Sequence, residues 1–372
     1  MDAVSEIVKA QNSAIKNSTK PEYNWIDYAK GIGIVLVVYG HVVRGLMNAD
    51  LLEHPFFELI DSIIYTFHMP IFFFISGYLF YISLLKKKLC VVAFKKIDSI
   101  VYVYLVWSVM QTLLESSLSS YTNGSANFVD MYKIGIHPRA QFWFLYALFL
   151  IVIVFSICLK IFGKKTGYVS IFIGLFIYLI NSYYLNGFML WMLCAHFIYF
   201  ALGYVLAGFY IKINNGVIAY DNYQLRAITL ISFFMFMCAQ YYFHGYYDYR
   251  YFNRGFFSLF IALVSLGFVI FLSIYMSRSV SKLVFFIGCL GGYSLHIYLM
   301  HIIIGSGVRI VLERFMLIDN VIIHISLGVF LSIVVPVFIA KYFNAKFFGV
   351  IFFGSFRELY DKFSNHTGAL KW

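Results

Sequence analysis

Along this chain, apolar stretches of membrane-crossing length alternate with short polar ones in which lysine and arginine collect. A helix rises about 1.5 Å per residue and the hydrocarbon core of a bilayer is about 30 Å thick, so about 20 apolar residues suffice to cross it. The pattern predicts ten membrane helices, at 31–47, 60–84, 89–114, 142–161, 168–184, 188–210, 227–243, 256–276, 283–305 and 321–341. The organisation expected is a polar tail over 1–26, one membrane domain over 27–341 and an amphipathic tail over 342–372. The fold class is all-α and polytopic, with no repeat of fixed period.

Composition agrees with the pattern. With 62% hydrophobic and 12% charged residues, the chain lacks the surface of a soluble protein. Residues 1–24 have no apolar core of the kind a cleavable signal peptide carries, so the first helix is expected to stay as an uncleaved anchor. The net charge of +11 comes from cations scattered between apolar runs rather than gathered in one patch, which argues against a nucleic-acid partner. Counted across alternate sides of the ten spans, 21 of the 28 lysines and arginines fall on one side, a bias that predicts cytoplasmic termini. The five cysteines form no CxxC and no cluster with histidine, which leaves little basis for disulfides or a zinc site.

The residues that do not fit hydrocarbon carry the functional signal. "DYAKGIGIVLVVYGHVVRG" (Asp27–Gly45) places His41 and Arg44 inside an apolar helix, where ionisable groups are costly and mark candidate sites. His41 lies seven residues before Asn48, about 10 Å below the outer end of its helix; His68 lies seven residues after Asp61, at nearly the same depth; His301 precedes Arg309 by eight. Three histidines from three helices thus share one level in the outer half of the membrane, although spacing alone does not make them neighbours. A neutral imidazole can take a proton from a hydroxyl, and nearby donors can stabilise an oxyanion. That chemistry suits acyl transfer, and it equally suits a proton relay in a transporter. Arg44 shares a face with His41 and either snorkels to the outer interface or points into a cavity.

Weaker features read more plainly. Asp50, Glu53, Glu58 and Asp61 look like a solvated rim. The loop "YYFHGYYDYRYFNRG" (Tyr241–Gly255) has the aromatic content of a membrane interface, though its rings and charges also suit a sugar. "GCLGG" (Gly288–Gly292) reads as a close helix-packing site. The segment Tyr342–Phe363 mixes Phe with charges and is expected to lie flat at the inner interface rather than cross. No P-loop, dinucleotide fingerprint or nucleophile elbow is present.

Five phrases, "WIDYAKGIGIVLVVYGH", "FHMPIFFFISGYLF", "FWFLYALF", "FALGYVLAG" and "GGYSLHIYLMH", together resemble the acyltransferase-3 family of integral membrane acyltransferases, in particular its branch similar to fucose 4-O-acetylase. The resemblance covers about residues 25–340. It implies an acyl donor, usually acetyl-coenzyme A, approaching from the cytoplasm, and a sugar hydroxyl handled towards the outside. In the family a basic residue precedes the helix 1 histidine at a fixed spacing, matched here by Lys30 and His41. His41 would be the general base and Lys30 would help hold the donor.

Where the family tends to carry paired arginines at the start of helix 3, this chain has Lys95, Lys96 and, three positions after Lys95, Asp98. That departure leaves the lysines, with Lys86–Lys88 beside them, as the candidate contacts for the donor's phosphates. His301 resembles the family's helix 9 histidine, and Trp143 opens "WFLYALF"; both are expected to line the substrate pocket. Some relatives add an esterase-like domain outside the membrane. Without one here, the acceptor is expected to be acylated by the membrane module itself or with a separate partner.

The resulting expectation is a bacterial inner-membrane O-acetyltransferase, acetyl-CoA-dependent and needing no metal, that modifies a cell-surface glycan or its lipid-linked precursor, as a monomer or a homo-oligomer. His41 acts as base, Arg44 and His68 orient or stabilise the acyl carbonyl, and Lys30, Lys95 and Lys96 bind the donor. The alternative is a carrier or flippase for a glycan precursor that uses the buried histidines as a substrate or proton path.

Overall fold

The computed structural model describes residues 24–117, 134–135, 138, 140–185, 187–214, 220–343 and 347–367. Among these residues every regular element is a helix: α1 (Trp25–Met47), α2 (Pro55–Tyr65), α3 (His68–Lys86), α4 (Leu89–Ser117), α5 (Trp143–Phe162), α6 (Thr166–Ile180), α7 (Phe188–Asn214), α8 (Asn222–Gln240), α9 (Phe256–Met276), α10 (Lys282–Gly292), α11 (Ser294–Ile310), α12 (Val321–Phe343), α13 (Phe347–Phe353) and α14 (Phe356–Thr367). Local chemistry sets several of the starts. The Asn24 side chain accepts from the Ile26 and Asp27 amides, and Asp221 and Gln224 form a reciprocal capping box that opens α8.

Among the described residues, eight helical runs are long and apolar enough to cross a membrane, against ten predicted segments, and two features account for the difference. Trp143–Leu185 is one run of 43 residues, about 65 Å if straight and twice what a bilayer needs. It turns at Gly163, whose φ of 53° suits glycine, and α5 and α6 pack against each other. The second is α4, which is helical throughout but is not among the eight runs; its first turns carry Lys95, Lys96 and Asp98.

At the centre stands α1, packed against α3, α9, α10, α11 and α12. Its contact with α10 is a glycine crossing. A Cβ at Gly31 would collide with the Ile287 carbonyl oxygen and one at Gly291 with that of Asp27, so the packing read from "GCLGG" is realised through Gly291. The α3–α7 pair uses the same device, with Gly77 against the Phe200 carbonyl and Gly203 against that of Phe74. Accordingly, Gly291→Ala is expected to cost about 1–3 kcal/mol. Gly267→Ala, which meets nothing within 4 Å, should leave the thermal midpoint in detergent where it was.

Two expectations are corrected. The predicted helix over 60–84 is broken at Thr66–Phe67, so that His68 begins a new helix. The predicted span over 283–305 is interrupted at Tyr293: α10 is a short apolar helix, and the crossing run is Ser294–Phe315. The C-terminal segment, which is not among the crossing runs, packs on the bundle. Tyr102 Oη donates to the Ile351 carbonyl and Trp107 Nε1 to the Phe352 carbonyl, both at 2.7 Å, docking α13 onto α4.

Candidate active site

The site is assembled at one end of the bundle, where α1, α4 and α11 finish and α3, α5, α7, α9 and α12 begin. Two cavities lie there. One, of about 460 Å³, is bordered by His41, Arg44, Gln111, His301, Arg309 and His324. The other, of about 560 Å³, is bordered by aromatic and sulfur side chains, among them Trp143, Tyr199, Tyr251, Tyr298 and Met192, with His68, His196 and Arg254. Both fall within the usual size of a small-molecule site. His41, Arg44 and Tyr65 border both cavities, which makes the last turns of α1 the partition between them.

The break at Thr66–Phe67 shapes this partition. It ends α2 with Tyr65 facing α1 and starts α3 with His68, whose Nδ1 donates to the Ile64 carbonyl at 2.9 Å. Non-helical backbone at membrane depth is tolerated where protein or a cavity surrounds it, and here it lets Asp61, Tyr65 and His68 all approach α1. The Tyr65 ring lies 4.4 Å from that of His68 and 6.5 Å from that of His41, centroid to centroid. His41 in turn lies 5.0 Å from His301. The structure therefore gathers His41, Arg44, His68 and His301 around one partition.

Arg44 does not snorkel. Its Nε donates to both oxygens of Asp61 at 3.0 Å and its Nη2 to Oδ2 at 2.8 Å, the geometry of a planar fork on a carboxylate. The guanidinium carbon sits 3.2 Å from the Tyr65 ring centroid and 4.7 Å from that of Tyr251, so cation–π contacts hold the plane from the sides. Asp61, read as part of a solvated rim, is 6% exposed and belongs to the site. Tyr251, read as an interfacial aromatic, covers Arg44.

A directed hydrogen-bond chain holds Tyr251 there. His244 Nδ1 donates to the Gln240 carbonyl, which leaves Nε2 to accept from Ser62 Oγ at 3.0 Å, and Ser62 Oγ accepts the Tyr251 amide at 2.9 Å. Ser62→Ala removes the middle of this buried chain. The expected cost is about 1–3 kcal/mol for the stranded partners, read as a lower unfolding midpoint together with faster proteolysis of the loop around Tyr251.

Trp143 borders the aromatic cavity and lies 5.4 Å from His196. Lys30, Lys95 and Lys96 border neither cavity. Lys30 is eleven residues from His41 along α1, about 16 Å, and pairs with Asp27 at 2.9 Å. Lys95 and Lys96 stand in the first turns of α4, and Asp98, beside them, accepts the Arg357 amide of α14 at 3.4 Å. The lysines are thus set apart from the histidine cluster, towards the opposite ends of their helices.

A bundle of crossing helices with paired cavities around a buried histidine cluster defines a polytopic membrane protein with a site inside its bundle. Residues 23–341 match the family described as "Acyltransferase domain", and the chain belongs to that family. Among curated proteins it is similar to Nodulation protein NolL of Sinorhizobium fredii (strain NBRC 101917 / NGR234), 30% identical over 125 residues, 32% of each chain. It is also similar to Nodulation protein NolL of Mesorhizobium japonicum (strain LMG 29417 / CECT 9101 / MAFF 303099), 29% identical over 128 residues, 33% of this chain and 32% of that one. The match thus spans about a third of the length of these relatives. No solved structure matches the chain.

Proposed function

We propose that the protein is a membrane O-acyltransferase that moves an acetyl group from acetyl-coenzyme A to a hydroxyl of a cell-surface glycan or its lipid-linked precursor. Membership of the acyltransferase family supports the reaction class. The observation that carries the reading is that His41, Arg44 and Tyr65 border both cavities, so two substrates held apart can reach one imidazole. The acceptor sits in the aromatic cavity, where Trp143 and the tyrosines offer flat faces to a sugar ring and His68, His196 and Arg254 offer polar contacts.

In this reading His41 takes the proton of the acceptor hydroxyl as its oxygen attacks the thioester carbonyl. The Nη1 edge of Arg44, which the carboxylate of Asp61 leaves unused, stabilises the oxyanion. The proton then leaves with the coenzyme A thiol. Lys30, Lys95 and Lys96, with the exposed Lys86–Lys88, meet the donor's phosphates at the opposite end of the bundle, which the charge bias assigns to the cytoplasm of a bacterial inner membrane.

The test supplies purified protein with acetyl-CoA labelled in its acetyl group and a panel of glycans. Label recovered on a glycan is the expected result. If no glycan is labelled, and cells lacking the protein cease exporting a glycan whose acetylation is normal, a carrier replaces the transferase.

A further inference from the structure

Four buried histidines of the bundle are locked in the same way. His68, His196, His244 and His301 each point Nδ1 at the carbonyl four residues earlier in the chain, so each carries its proton on Nδ1 and presents Nε2 as a lone pair. For His244 that lone pair accepts from Ser62. For His301 it meets no hydrogen-bond partner among the described residues, although the side chain is 1% exposed. Its Nδ1 is doubly anchored, to the Tyr298 carbonyl at 2.7 Å and to that of Ile297 at 3.1 Å. An acceptor nitrogen so buried and so firmly aimed is costly unless something donates to it.

The group positioned to donate is His41. The two ring centroids are 5.0 Å apart. The two nitrogens are not hydrogen-bonded in the structure, and at this separation a turn of the His41 ring, which faces cavity space, closes an N–H···N bond of about 3 Å. His41 itself has no backbone anchor among the described residues and borders both cavities, so its tautomer has to be set from elsewhere.

We propose that His301 is the positioning residue of the base: its Nε2 lone pair holds the N–H of His41, which fixes the His41 tautomer and turns its other nitrogen towards the acceptor hydroxyl. The anchoring runs from the carbonyls of Ile297 and Tyr298 through His301 to His41, and Ser332 Oγ, donating to the His301 carbonyl at 3.1 Å, ties the same turn to α12. When His41 takes the hydroxyl proton, its original N–H proton stays bonded to His301. The new one passes to the departing thiolate, so that alcohol and thioester become ester and thiol with neither imidazole changed. This assignment rests on His41 being the base.

The experiment compares wild type, His301→Gln, which keeps an acceptor near the position of Nε2, and His301→Leu, which fills similar space without one. Each is purified and checked for retention in size exclusion before assay with labelled acetyl-CoA and an acceptor glycan. His301→Leu is expected to lose at least about 10-fold in kcat, part of the 10²–10⁴ that a positioned base supplies. KM for both substrates should stay within about twofold, because the role assigned to His301 is exerted on His41 rather than on either substrate. His301→Gln is expected to recover most of the loss. If His301→Leu is not obtained folded, His301→Asn, whose acceptor falls short of His41, takes its place. Leu and Gln variants of equal activity, or a loss confined to KM, overturn the positioning role. A fully active His41→Ala overturns the base itself, whereas an inactive His41→Ala beside a normal His301→Leu overturns only the dyad.

Discussion

His41→Ala is expected to lower acetyl transfer by at least about 10²-fold while leaving membrane insertion intact. Removing a positioned base costs about 10²–10⁴ in rate, and here no second imidazole can take over its place. His68 and His301 each have Nδ1 committed to backbone carbonyls, and only His41 borders both cavities. The structural penalty is about 1–3 kcal/mol for the His301 acceptor left without a donor, because His41 otherwise faces cavity space rather than a packed wall. Labelled product per minute, normalised to protein that elutes as one species, gives the rate. A variant with wild-type turnover would remove His41 from the chemistry and return the cluster to a packing role.

The second large effect is structural. Asp61→Ala is expected to destabilise the protein by about 3–5 kcal/mol, the usual result of stripping the counter-ion from a charge that the fold keeps out of water. The Arg44 side chain retains 28% of its exposure, which places the expectation at the lower end. Arg44→Ala with Asp61→Ala should cost less than the two single changes summed, since the double variant leaves no stranded charge. Arg44→Lys should not substitute, because an ammonium can neither fork onto both oxygens of Asp61 nor stack between Tyr65 and Tyr251. Unfolding midpoints across this set of four report the coupling directly, and additive costs would show that the ion pair is incidental.

How much of this could be read from the residues depends on the range of the interaction. Apolar length is a local property, so every predicted span falls on helical chain, two of them with one break each. The level shared by His41, His68 and His301 followed from counting rise per residue, and the rings do converge. Failures came where a contact joins distant parts of the chain. Asp61 looked like one of four rim acids because its partner, Arg44, is seventeen residues away across a turn. Tyr251 looked interfacial because Ser62, which holds it, is 189 positions distant. One signal was available: Asp61, Tyr65 and His68 fall at i, i+4 and i+7, one face of a helix turned towards α1. The breaks at Thr66–Phe67 and Tyr293 were hidden because hydropathy does not register a single residue leaving helical geometry, and neither break needed proline at its point of interruption.

The docking of α13 has a consequence for how freely its sequence can drift. Tyr102 and Trp107 grip oxygens of the main chain at Ile351 and Phe352, and a main-chain oxygen is the same whichever residue carries it. Exchanges among bulky aliphatic and aromatic residues at those two sites leave the grip intact. The fastening is thus indifferent to side-chain identity at those two positions, and what the side chains there must satisfy is packing alone, as the Phe352 ring does beside Trp107.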